Sequence, residues 1–159
     1  MTIKTFSLLA LTLFLAAAQD IAPEGFQLWS ANSLKQIDQE LATEASGDPK
    51  HLATKRLMDY PNDLFMLARR QADGVVEWHE NQVDVLFVQS CTATLVVGGN
   101  MVGGKTTEPH EKRGGQIEGG IRRTLSAGDV VRIPAKTPHQ IFLEGSKGFT
   151  YFVIKVKGY

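Results

Sequence analysis

From residue 52 to the C-terminus the chain is written in short strands. LATKRLMDY, DLFMLARRQ, VVEWHE, VDVLFVQ, CTATLVVGG, IRRTL, DVVRIP, HQIFLE and FTYFVIKV carry apolar residues at strand spacing. Turn formers separate them: Ala72-Asp73-Gly74, Asn81-Gln82, Gly128-Asp129, Pro134 to Pro138, and Gly145 to Gly148. So many short strands in one domain-sized chain of 159 residues close into a sandwich or barrel. The glycine-rich segment from Gly98 to Gly120 interrupts the series and reads as polar and flexible. Phe142, Phe149, Tyr151 and Phe152 are expected in the core or an interface, as strand aromatics are.

One helix is expected, over Ser30 to Ala45. Leu34, Ile37 and Leu41 form an apolar stripe, Ser33 with Gln36 has the form of a capping box, and Gly47 with Pro49 ends the segment. Trp29 and Phe26, just ahead, are placed to pin the helix to the body.

The first 18 residues have the layout of a secretory signal peptide. Lys4 is followed by an apolar run from Phe6 to Ala18, and Ala16-Ala17-Ala18 offers a cleavage site before Gln19. The run is shorter than the roughly 20 residues of a membrane span, so an exported protein, periplasmic or secreted, with no stable membrane span after cleavage is expected; the alternative is that the segment stays uncleaved as an N-terminal anchor. The organisation is then leader 1–18, a helical arm 19–50 and a barrel 51–159. Lys+Arg and Asp+Glu number 17 each, and losing Lys4 with the leader leaves one net negative charge. Such a chain has no general attraction for nucleic acid. The local patch of Lys112, Arg113, Arg122 and Arg123 is interleaved with glycines and not aromatics, and reads as a solvated loop. The single cysteine, Cys91, excludes an intramolecular disulfide and, lying in an apolar strand pattern, is expected to be a buried inert thiol.

EWHENQVD, residues 77–84, carries chemistry that a strand does not need. Glu77 and His79 are two apart and share a face, whereas Trp78 points away. With a turn at Asn81-Gln82, the strand from Val83 would run back beside the first and bring Asp84 close to His79. Glu80 falls on the opposite face. Downstream, in GDVVRIPAKTPHQ, Pro138 stiffens the approach to His139 and can aim it into a barrel. Two imidazoles with one or two carboxylates suit a divalent metal: a two-histidine, one-carboxylate set with open positions favours iron(II), and four protein ligands suit manganese, zinc or nickel. The alternative is that Glu77 and Asp84 pair with Arg69, Arg70 or His139. His51 and His110 stand apart as surface or structural histidines.

Gly128, Pro134 and His139 fit G-x5-P-x4-H and resemble the second motif of the cupin superfamily. The first cupin motif has two histidines at i and i+2 and a glutamate five residues later; Glu77, His79 and Asp84 occupy those positions here. Ser90, Lys136 and Leu143 depart from the motif residues, and the segment between motifs is long. The spacing agrees over residues 74 to 139, and flanking strands extend the likeness to most of 54 to 156. The resemblance implies an all-β, cupin-type double-stranded β-helix (a jelly-roll barrel) with one N-terminal α-helix. It also implies a metal site of Glu77, His79, Asp84 and His139, and a homodimer. Two functions fit: a metal-dependent enzyme, dioxygenase-like or isomerase-like, acting on a small organic molecule, or a non-catalytic module that binds a small molecule or metal outside the cytoplasm.

Overall fold

The computed structural model describes residues 22–159; the expected leader lies outside the described residues. Helix α1 spans Ala31–Gly47. Its cap is Ser30, whose Oγ accepts the Ser33 N–H at 3.1 Å, one turn earlier than the Ser33–Gln36 box expected from sequence. Leu34, Ile37, Leu41 and Ala45 form its apolar stripe, of which Leu41 and Ala45 are fully buried. Asp38, one step round the helix, accepts hydrogen bonds from Arg69 at 2.8 Å and from the Thr150 hydroxyl at 2.6 Å, fixing the helix on the sheet beneath.

Thirteen strands follow in the described residues: β1 Leu52–Asp59, β2 Asp63–Arg70, β3 Glu77–His79, β4 Gln82–Ser90, β5 Thr92–Val97, β6 Asn100–Val102, β7 Lys105–Glu108, β8 Glu111–Arg113, β9 Gln116–Glu118, β10 Ile121–Ser126, β11 Val130–Ile133, β12 His139–Phe142 and β13 Phe149–Lys157. One sheet has the order β1-β2-β13-β4-β11 and the other β10-β5-β12-β3-β8-β7, all antiparallel where they pair. Among the described residues the fold is thus mostly β with a single helix, as expected. Strand alternation divides the core in two. On β13, Phe149, Tyr151 and Val153 face the space between the sheets with Ala68, Leu86, Leu95, Leu125, Ile133 and Ile141. Phe152 and Ile154 face the other way, against α1, with Leu67, Phe65 and Phe87. Trp29 joins this second cluster, 5.2 Å from Phe65 and 5.5 Å from Phe152, but Phe26 is exposed and pins nothing.

Three further sequence expectations are corrected. The strand from Val83 does not run back beside β3. The edges of β3 are taken by β12 and β8, and those of β4 by β13 and β11, so Glu80-Asn81 carries the chain from one sheet to the other. Cys91 is exposed, because it forms the tight bend between β4 and β5 with φ 65° instead of lying within a strand. The Gly98–Gly120 segment is built of strands. Leaving the β5/β10 pair, it forms the separate two-stranded β6/β9 ribbon and ends in the β7/β8 hairpin, which rejoins the same sheet on the far side of β12 and β3. The ribbon therefore arches over the outer face of these strands, leaving an open pocket of about 300 Å³ against Trp78, Lys136 and Pro138. The glycines permit the arch. A Cβ on Gly99 (φ +72°) would sit 2.4 Å from the Glu118 carbonyl, and one on Gly115 (φ +70°) 2.1 Å from that of Val102.

Leu41 is the most deeply buried large side chain that the helix inserts into the sheet-facing cluster. Leu41→Ala is expected to cost about 3 kcal/mol in urea denaturation, whereas exposed Leu28→Ala should stay within about 0.5 kcal/mol.

Candidate metal centre

Three strands and two sheets bring the expected ligands together. β3 turns Glu77 and His79 inward by its period of two, and Trp78 outward. His139 opens β12 directly after Pro138, opposite Glu77 in register. Asp84 comes from the facing sheet, on the inward side of β4 with Leu86 and Val88. The ligand-capable atoms of Glu77, His79 and His139 all lie within 4.8 Å of one another. Asp84 Oδ2 is 3.3 Å from His79 Nε2 and 3.7 Å from His139 Nε2, and both imidazoles are buried.

Each imidazole is oriented through its other nitrogen. His79 Nδ1 lies 2.6 Å from Glu111 Oε2, and His139 Nδ1 lies 3.0 Å from the Thr137 carbonyl. Carboxylates and carbonyls only accept, so both neutral rings carry the proton on Nδ1 and present the Nε2 lone pair to the shared interior. That is the arrangement by which proteins hold histidine ready for a metal.

A lysine stands at the same point. Lys155, opposite Asp84 in the β13–β4 register, donates to His79 Nε2 at 2.9 Å and to both Asp84 oxygens at 2.8 and 2.9 Å. Glu77 is likewise engaged: Arg70 reaches Oε1 at 2.6 Å, and Arg113 bridges its Oε2 and Glu111. Arg70 also donates to Tyr151 Oη at 3.2 Å. Of the pairings weighed from sequence, Arg70 with Glu77 is present, whereas Arg69 is turned to the helix because its place on β2 has the opposite parity.

Within this cluster Arg70, Arg113 and Lys155 face Glu77, Asp84 and Glu111, so the formal charges cancel with neutral histidines. Burial alone would raise the Glu77 carboxyl, but Arg70 and Arg113 overcome it and hold the group at about 2. Burial acts upward on Asp84 too, and the Lys155 ammonium, which meets both its oxygens, helps hold it well below the usual carboxylate range. Burial raises the Tyr151 hydroxyl.

The donor set fits a divalent cation in kind, with two inward lone pairs and two ionised carboxylates. It fits in charge when the Lys155 ammonium withdraws, since the cluster is already neutral with it in place. Lys155, Arg113 and Glu111 were not found from sequence. Lys155 had a signal: it continues the inward series Phe149, Tyr151, Val153 and is the first charge in that series. Glu111 had none, standing 32 residues from His79 in a segment read as flexible.

His51 and His110 stay apart from the cluster. His51 is exposed in the helix-to-sheet connection, and exposed His110 pairs with Glu80 at 2.6 Å. Beside the centre lies a small interior pocket of about 130 Å³ walled by Met66, Ala68, Val153 and Tyr151. Leu52, Arg70, Glu77 and Arg113 border both this pocket and a groove of about 750 Å³ at the barrel mouth.

No protein-family model matches the sequence, and no curated protein matches it significantly. Solved structures match by shape. The cupin domain of Cnp3 from Schizosaccharomyces pombe gives a TM-score of 0.51 at 9% identity, over 67% of this chain and 64% of that one. TT1209 from Thermus thermophilus gives 0.51 at 16% identity, over 69% and 87%. An uncharacterized conserved protein with a double-stranded β-helix domain from Klebsiella pneumoniae gives 0.50 at 16% identity, over 67% and 77%. This chain covers less than two thirds of the Cnp3 domain. At these identities the likeness is one of fold.

The depressed Glu77 carboxyl sets an acid dependence for the metal-free protein. A carboxylate held low in the folded state stabilises it above its ordinary value of 4.5, and that contribution is lost as pH falls toward about 2. Glu77→Gln should therefore cost about 3 kcal/mol at neutral pH, by stranding Arg70 and Arg113, and progressively less below pH 4.5. Chemical denaturation of both proteins across this range checks it; a gap that stays constant down to pH 2 would contradict the pairing.

Proposed function

We propose that this chain, whose fold is that of the cupin superfamily, binds a divalent metal ion inside its barrel and engages a small organic molecule at the barrel mouth. His79 and His139 would hold the ion through Nε2, with Glu77 and Asp84 as the carboxylates. The observation that carries the reading is that both imidazoles have Nδ1 committed to an acceptor and Nε2 turned to a common interior point beside those carboxylates. When bound, the ion supplies Lewis acidity, or oxygen chemistry if it is iron.

The remaining parts are supplied by the chain itself. The mouth groove brings a small molecule to Arg70, Glu77 and Arg113, and the inner pocket adds Met66, Ala68 and Val153 as an apolar wall beside those charges. Lys155 is an internal cation that would withdraw from Asp84 and His79 for those residues to hold an ion. The leader-like N-terminus supports export, and the fold supports a homodimer. At the open positions such a barrel would either turn over its ligand, as a dioxygenase-like or isomerase-like enzyme, or retain it as a binding module.

One observation favours a second reading. The Lys155 ammonium already makes three contacts at the centre, so the chain can also work as a metal-free binding barrel in which lysine has taken the place of the ion.

Elemental analysis and cobalt(II) titration of wild type, His79→Ala, His139→Ala and Lys155→Met separate the two. Under the metal reading, wild type carries close to one ion per chain, either histidine variant loses most of it, and Lys155→Met binds at least about tenfold tighter, a competing buried charge having gone. Equal metal content in all four proteins sinks the site. An empty wild type beside a Lys155→Met protein that binds cobalt establishes the second reading.

A further inference from the structure

The arch over β12 and β3 does more than cover a sheet face. Its far end, β8, pairs with β3 in a register that sets Arg113 opposite Glu77, Lys112 opposite Trp78 and Glu111 opposite His79. Two of these three pairs reach the centre. Arg113 meets Glu77, and Glu111 Oε2 accepts from His79 Nδ1 at 2.6 Å. The Glu111 carboxylate is itself held, its Oε2 receiving Arg113 Nη2 at 3.2 Å, and only 12% of its side chain is exposed. The inserted hairpin is therefore one wall of the site, and its docking onto β3 carries a group that no other element supplies.

That group decides where the His79 proton resides. A neutral imidazole has one N–H, and two acceptors compete for it: Glu111 at Nδ1, and Asp84 Oδ2 lying 3.3 Å from Nε2. The shorter contact belongs to Glu111, and with the proton on Nδ1 the Nε2 lone pair receives Lys155. If Glu111 is removed, the better remaining acceptor is Asp84. The proton then moves to Nε2, with Lys155 turning from the ring to Asp84 alone, and the ring can no longer donate an electron pair there.

We infer that Glu111, delivered by the glycine-hinged hairpin, is the positioning residue that keeps His79 in its Nδ1–H form and so prepares Nε2 as a ligand. For the part that concerns metal affinity, the inference rests on the metal reading above. The tautomer itself is a property of the metal-free protein.

The test is nitrogen-15 NMR of the histidine side chains in metal-free full chain, for wild type, Glu111→Ala and Glu111→Gln, with a cobalt(II) titration of each. Wild type should show His79 as Nδ1–H. Glu111→Ala should move His79 to Nε2–H while His139, held by the Thr137 carbonyl, keeps its signals and so reports an intact barrel. Glu111→Gln should restore the Nδ1–H form, because Arg113 still draws the amide oxygen to the same place. Cobalt affinity should fall by about tenfold to a hundredfold in the alanine variant and recover in the glutamine one. A wild-type His79 protonated at Nε2, or an unchanged tautomer in Glu111→Ala, overturns the inference. A wild type that binds no cobalt but shows the tautomer switch upholds the role of Glu111 and removes the metal reading instead.

Discussion

Six charged side chains meet at one end of an apolar barrel, and the fold tolerates them because each has a partner of opposite sign. An ion buried alone costs several kcal/mol after relaxation. Arg70, Glu77, Arg113 and Glu111 avoid this in one run of ion pairs and Lys155 and Asp84 in another, and His79 joins the two, from β2 through β3 and β8 to β13 and β4. The chain draws on both sheets, so it also acts as a registry device: a slip of one residue in any of these strands would send its charge to the opposite face. The same balance explains why a histidine pair can sit among these charges with both Nδ1 atoms committed. The cluster holds no surplus of charge with neutral rings, and positive charge beside Asp84 is already provided by Lys155.

Much of this fold could be read from the amino-acid sequence because period-two alternation is a local property. β13 is the clearest instance: FTYFVIKV alternates between the residues that line the barrel and those that meet the helix. Helix α1 was equally legible from Leu34, Ile37 and Leu41. The sharing of a face by Glu77 and His79 followed from the same rule, and His139 from a proline corner. What could not be read was pairing. The β3–β4 hairpin was expected because a two-residue link between strands ordinarily makes one, but partner choice is settled by what else competes for each edge. Here β12 and β8 took both edges of β3. Asp84 still arrives beside His79, from across the barrel and not from alongside.

The glycine-rich segment failed as a reading for a different reason. Glycine lowers the intrinsic tendency to form strands, and its composition reads as loop. In this chain the glycines fall in pairs that bracket two short strands, GGNMVGG and GGQIEGG, and let their backbones approach too closely for any side chain. A pattern of bends at fixed intervals is a design for an arch. Its length is set by the span over β12 and β3, and its far end contributes two members of the charged chain. An insertion that composition suggests is ornamental is thereby part of the interior.

The outward residue of the EWHENQVD stretch has its own use. Trp78 lies under the arch, with the Lys112 ammonium 4.6 Å from its ring centroid, and the chain's other tryptophan, Trp29, is packed among Phe65 and Phe152 beside the helix. The molecule thus carries two indoles on opposite layers, one beneath a neighbouring cation and one packed among aromatic rings. Light emitted by the first follows the seating of the ribbon, and light from the second follows the seating of the helix, so one natural signal can tell the two layers apart as the protein comes undone.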